Sequence, residues 1–95
     1  MMTIINRQVT LSNTVATQIV GADNMPHDII LHNSSKSSNN YIWIAGSSAT
    51  AGTVTGMHID DSDTLYMTLR PHDELWAIST PSGLIVHVTD IRRND

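Results

Sequence analysis

Five histidines (His27, His32, His58, His72, His87) and nine acidic residues are the groups in this chain that could hold a metal or move a proton. The densest set is His58 with Asp60, Asp61 and Asp63. His58 and Asp60, like Asp61 and Asp63, stand two residues apart, a spacing that puts both side chains on one face of an extended chain. A calcium loop of the EF-hand type needs Gly at its sixth position and a bidentate Glu at its twelfth; counted from Asp61, those positions hold Tyr66 and His72. A cupin-like metal strand would need His-x-His followed by Glu, and His58-Ile59-Asp60 lacks both. The segment Asp60-Asp61-Ser62-Asp63 is therefore expected to be a solvated acidic turn joining two strands, with no metal and no cofactor.

Nucleophilic chemistry finds no better footing. No Ser lies in Gly-x-Ser-x-Gly. The absence of Cys closes the Cys–His route and rules out disulfide staples. Gly46 and Gly52 do not fit the phosphate-binding pattern Gly-x-x-x-x-Gly-Lys-Ser/Thr. Asp73 and Glu74 are adjacent, so they point apart and cannot flank a glycosidic bond. The expectation is a protein that is not an enzyme.

The elements that would have to position any site are short and regular. Strand-like runs occupy Ile4–Leu11, Val15–Val20, Asp28–Asn33, Tyr41–Ala45, Val54–Ile59, Leu65–Leu69, Leu75–Ile78 and Leu84–Ile91, and Gly, Pro, Asn, Asp or Ser fill almost every gap. Short strands at this cadence predict an all-β chain: a single antiparallel β-sandwich, jelly-roll-like, of about eight strands. Residues 1–12 read as an extended N-terminal arm or first strand, and 13–95 as the sandwich. Ser34–Asn40 reads as an exposed hairpin loop, Gly46–Gly52 as a longer small-residue loop, and Leu69–Ile78 as a hairpin turning at Pro71.

Alternation sides the strands. It places Ile29, Leu31, Ile42, Ile44, Leu65, Met67, Leu69, Leu75, Val86 and Val88 in the core. Trp43, Tyr66 and Trp76 fall on the second face, where together they would make an apolar patch that a free monomer does not normally expose.

Composition narrows the partners. Only 15% of the 95 residues are charged, and Lys36 and Glu74 are the single Lys and Glu, although free soluble domains carry roughly 25% charge and guard their strand edges with Lys. Lys and Glu are also depleted at protein–protein interfaces. Two readings follow: a polar, Thr-rich β-protein surface, or a surface much of which is covered by partner chains. A net charge of −4 argues against nucleic acid. The longest apolar stretch, Tyr41–Ala45, is far too short to span a bilayer, and the first residues do not read as a signal peptide. The expected place of synthesis is the cytoplasm of a host cell, with no membrane partner.

The strand pattern resembles that of small structural proteins from tailed bacteriophages. The resemblance runs from about Val9 to Ile91. It is carried by Ile29-Ile30-Leu31-His32-Asn33-Ser34, by Tyr41-Ile42-Trp43-Ile44-Ala45-Gly46 and its small-residue loop, by the Pro71 turn closing in Leu75-Trp76-Ala77-Ile78, and by the Val-rich last strand. His72 departs from it, standing where similar proteins tend to have Gly. The resemblance implies a virion protein of the capsid decoration (cement) type on the capsid surface. Such a protein bridges neighbouring subunits of the major capsid protein as a homo-oligomer, by preference a trimer. Ile4, Ile5, Val9 and Leu11, on an arm pairing with a neighbour, and the anchors Trp43, Tyr66 and Trp76 are the expected interface residues. The alternatives are a tail or fibre β-module that binds a receptor or carbohydrate, and a metal-dependent jelly-roll enzyme built on His58 and the nearby aspartates.

Overall fold

The computed structural model describes residues 2–47 and 57–93. Among them there are eight strands: β1 (Met2–Thr10), β2 (Thr17–Val20), β3 (His27–Asn33), β4 (Tyr41–Ala45), β5 (Met57–Ile59), β6 (Thr64–Leu69), β7 (Leu75–Thr80) and β8 (Ile85–Arg93). Every strand expected from the sequence is present. The second begins late because the Ser12 hydroxyl accepts the N–H groups of Thr14 and Val15, a local turn that satisfies the backbone without a ladder. Residues 54–56, the expected start of the fifth, lie outside the described residues, as does the small-residue loop from Ser48 onward.

β1 pairs with β8, β2 with β7, β3 with β6 and β4 with β5, all antiparallel. The chain is thus one long hairpin that has been rolled up, and two further pairings, β3 with β8 and β4 with β7, close the roll. The result is sheet I, in the order β1-β8-β3-β6, facing sheet II, in the order β2-β7-β4-β5. This is a jelly roll. Ser34–Asn40 and the Pro71 turn therefore join strands in different sheets; neither is the hairpin that turn chemistry alone predicted, because turn residues mark where a chain bends and not which strand it meets next.

The connections cross between the sheets in hydrogen-bonded pairs. Leu11 N–H donates to Leu84 O (2.9 Å), Gly83 N–H to Leu11 O (2.8 Å) and Ser79 N–H to Ser12 O (3.0 Å), which ties the β1–β2 crossing to the β7–β8 crossing. Asn33 N–H donates to Asp63 O (3.0 Å) and does the same for β3–β4 and β5–β6, while His72 N–H to Asp23 O joins β2–β3 to β6–β7. Backbone groups lost to the ladders at the sheet boundaries are satisfied in this way.

Eight of the ten expected core residues are buried, and Leu65 and Met67, on edge strand β6, are half-buried and packed against them. Leu11, Ile19, Val20, Ile59 and Ala77 complete the cluster. Inward positions on β3 alternate strictly: His27, Ile29, Leu31 and Asn33 are buried. The apolar middle of the sandwich is therefore closed at each end by a polar residue, and those two ends hold most of the buried hydrogen bonds.

Candidate interaction surfaces

At one end, His27 Nδ1 lies 2.7 Å from Asp90 Oδ1, and Arg92 Nε lies 3.3 Å from Asp90 Oδ2. Arg92 Nη1 reaches Asp23 Oδ2 at 3.0 Å, and His27 Nε2 is 3.8 Å from the same oxygen. A His–Asp pair has the composition of a general-base dyad, but His27 is 1% and Asp90 0% exposed. No substrate can reach it; its role is to seal the sandwich. At the other end Asn33, also fully buried, donates from Nδ2 to Asn40 O (2.9 Å) and Ile59 O (3.1 Å) and accepts from Ser35 N–H (3.1 Å).

The acidic turn forms as expected, with Asp63 N–H donating to Asp60 O at 3.1 Å and Ser62 at φ 63°. His58 Nδ1 sits 2.7 Å from Asp60 Oδ1. Among the described residues no group of three or more His, Asp or Glu side chains is placed to hold a metal ion, and the depressions are shallow grooves on the sheet faces and at the loop end. What the molecule offers a partner is its outer faces and its edges.

The seven residues singled out from the sequence do not form one patch. Trp43 and Trp76 face outward from sheet II, whereas Tyr66 faces outward from sheet I on the opposite side of the molecule. Leu11 is in the core, and Val9 packs against it. The apolar surface of Leu11 is buried within the chain's own fold, and that of Val9 partly so. Ile5 is half-buried opposite Asp90, and Ile4 is 54% exposed. The N-terminal segment is thus the edge strand of its own sheet rather than a detached arm.

Two surfaces stand out. On sheet I, Ile4 lies beside Ile91, and Ile30 lies between Thr89 and Tyr66. With Tyr66 at 72% exposure and Met2 at 56%, a broken apolar stripe crosses the whole face. On sheet II, the rings of Tyr41, Trp43 and His58 cluster at centroid distances of 4.8 to 6.0 Å. Trp43 Nε1 is buried without a hydrogen-bond partner among the described residues, while Trp76 Nε1 donates to Glu74 Oε1 at 2.9 Å.

The edges matter as much as the faces. β1 is nine residues long, and among the described residues no strand pairs with its outer edge. It carries no Lys or Pro, and its one cation, Arg7, turns inward to donate to Ile19 O. Among the described residues no helix is long and apolar enough to cross a membrane.

No protein-family model matches this chain, and no curated protein matches it. Among solved structures, it is similar to a chain from work showing that Bacillus endospore appendages form a novel family of disulfide-linked pili. The two are 15% identical, with a TM-score of 0.66 over 99% of this chain and 87% of that one. At that identity the likeness establishes a shared fold.

Proposed function

We propose that this chain is a non-enzymatic structural subunit that works by associating with other chains. The observation that carries the reading is β1: a long sheet edge, free of the Lys, Pro and bulges by which soluble proteins keep such edges from pairing. A partner strand added there gains main-chain hydrogen bonds, and the adjoining stripe from Met2 to Tyr66 supplies apolar area. In its finer form, the protein decorates a phage capsid from outside, bridges neighbouring copies of the major capsid protein, and acts as a homo-oligomer, a trimer by preference. Support for that form is the strand pattern shared with tailed-phage structural proteins and a surface poor in charge.

A second reading is favoured by the likeness in fold to a chain from disulfide-linked pili: a subunit of an extracellular filament. The 95 residues contain no cysteine, so in this reading they meet their neighbours without disulfides, through edges and faces alone.

The test is sedimentation of the purified chain across a wide concentration range, alone and with capsids, against Ile4→Lys, which places a charge on the exposed edge strand. Association, or a rise in capsid heat resistance, that Ile4→Lys abolishes supports the proposal. A chain that stays monomeric at millimolar concentration and leaves capsids unchanged overturns it. Immunogold labelling of phage particles against cell-surface filaments separates the two readings.

A further inference from the structure

We propose that His32 and His87 form a two-histidine chelate for a divalent transition-metal ion on the outer face of sheet I. The two residues are directly opposite each other on β3 and β8, and their ring centroids are 6.1 Å apart at a tilt of 47°. Both side chains must point outward, because their neighbours Leu31, Asn33, Val86 and Val88 are all buried. Directly opposed residues of an antiparallel pair have Cβ atoms about 4.5–5.5 Å apart. An imidazole nitrogen binds zinc at about 2.0–2.1 Å, which sets two rings sharing a tetrahedral ion roughly 5 Å apart, centre to centre. The observed centroid separation of 6.1 Å is wider than that arrangement needs by about 1 Å.

The surroundings suit the ion. Each ring already has one nitrogen engaged by a hydroxyl: His32 Nδ1 with Thr64 Oγ1 and His87 Nε2 with Ser34 Oγ, both at 2.9 Å. That leaves Nε2 of His32 and Nδ1 of His87 without a protein partner among the described residues. In the tautomer in which each hydroxyl accepts the outer N–H, the hydroxyl fixes the ring and directs the lone pair of the other nitrogen away from it, which is the job outer-shell groups perform at metal-binding histidines. The cross-strand row is Gln8, His87, His32, Thr64, and beside it runs an open groove along β1 and β8 with room for an ion and its waters. Two imidazoles and no carboxylate select borderline ions, Cu²⁺ ahead of Ni²⁺ and Zn²⁺, over Ca²⁺ or Mg²⁺. The remaining coordination positions face solvent. The inference does not depend on the assembly reading.

The other histidines serve as internal controls: His27 is buried, and His58 has its own carboxylate, Asp60, at 2.7 Å. The experiment is calorimetric titration of the purified full-length chain with CuCl₂ and, separately, ZnCl₂. Expected are saturable binding of one ion per chain, tighter for Cu²⁺, and a loss of affinity of about tenfold or more in either His32→Gln or His87→Gln, since each leaves a single ligand where two acted together. His58→Ala is expected to bind like the wild type. NMR of the wild-type chain gives a second readout that needs no variant: substoichiometric Cu²⁺ broadens the His32 and His87 ring signals first. Absence of saturable binding, binding retained in both glutamine variants, or broadening that starts at His58 or His72 overturns the proposal.

Discussion

Asn33 is the residue on which the closed end of the sandwich depends most, and replacing it tests that claim sharply. Its side chain is fully buried and makes three hydrogen bonds. Two of its acceptors, Asn40 O and Ile59 O, belong to a crossing loop and to sheet II, so one amide stitches the two sheets together. Asn33→Leu keeps the branching and heavy-atom count of the side chain, with bulkier methyl groups, and removes all three bonds. At about 1 kcal/mol net for each, plus a further 1–2 kcal/mol for leaving the buried Ile59 carbonyl unpaired, less about 1 kcal/mol regained by apolar burial, the loss is about 3–4 kcal/mol. Asn33→Asp keeps the shape and the contact with Ser35 N–H, but it sets a carboxylate oxygen against two carbonyl oxygens. It is expected to cost more than the leucine, about 4 kcal/mol or above. A domain of this length has roughly 5–14 kcal/mol in total. Urea unfolding followed by the fluorescence of Trp43 and Trp76 reads both variants; a 3 kcal/mol loss moves the midpoint by roughly 1–3 M. Asn13→Ala, at an exposed position, is the control and stays within about 0.5 kcal/mol of the wild type. If the aspartate variant proves milder than the leucine variant, or both lie within about 1 kcal/mol of the wild type, the stitch does not hold the sheets.

Two further outcomes follow from the polar and strained positions. His72 is the third residue of the turn closed by Asp73 N–H to Arg70 O at 3.1 Å, and its φ of 73° is the left-handed value that a type II turn assigns to Gly. His72→Gly should stabilise the fold by about 1 kcal/mol and raise its melting temperature by roughly 4–8 °C; a lower melting temperature would show that the ring contributes contacts worth more than the strain. Asp90→Ala strips the shared acceptor from His27 and Arg92 and should cost about 3–5 kcal/mol, whereas Asp23→Ala, which acts at the partly exposed rim, should cost about 1 kcal/mol. Chemical denaturation of the pair gives the order directly, and a reversed order would place the centre of the network at Asp23.

The strands were legible because two signals agreed at each of them: apolar residues at every second position, and turn formers between the runs. Ile42 and Ile44, or Val86 and Val88, can be sided with no knowledge of neighbours. Asn33, His27 and Asp90 could not. The period of two puts His27 and Asn33 in the row of Ile29 and Leu31, and Asp90 in that of Val86 and Val88, but polarity assigns them to solvent, and only the folded strands show that the inward rows extend this far. Leu11 was hidden for a different reason: it follows β1 and is buried by the crossing to β2, where a period-two pattern no longer applies. Nor does alternation within a strand say to which sheet the strand belongs. Trp43, Trp76 and Tyr66 therefore looked like one surface and lie on two. The opposition of His32 and His87 is a fact of register between distant strands, and no local pattern contains it.

The low charge content takes on a different weight once the ionised groups are placed. Asp23, Asp90 and Arg92 are engaged with one another, and Arg7 turns in to a backbone carbonyl. Four of the fourteen charged residues are therefore engaged by the chain's own groups, although only Asp90 among them is fully buried. Among the described residues between Ile4 and Tyr66 on the outer face of sheet I, the one carboxylate is Asp28, which accepts from the Thr68 hydroxyl at 3.1 Å. Such a face is too polar, with its threonines and histidines, to resemble a core cut in half, and too weakly charged to be repelled by its like. Interfaces that form between already folded partners have this mixed character, whereas obligate ones are more apolar. The chain completes its own jelly roll and closes both ends with buried polar groups, Asn33 at one and His27 with Asp90 at the other; under the proposed reading it would fold first and associate afterwards, through one long edge and one lightly charged face. Its stability is then its own, and the strength of any assembly is set by how many such edges and faces are engaged at once.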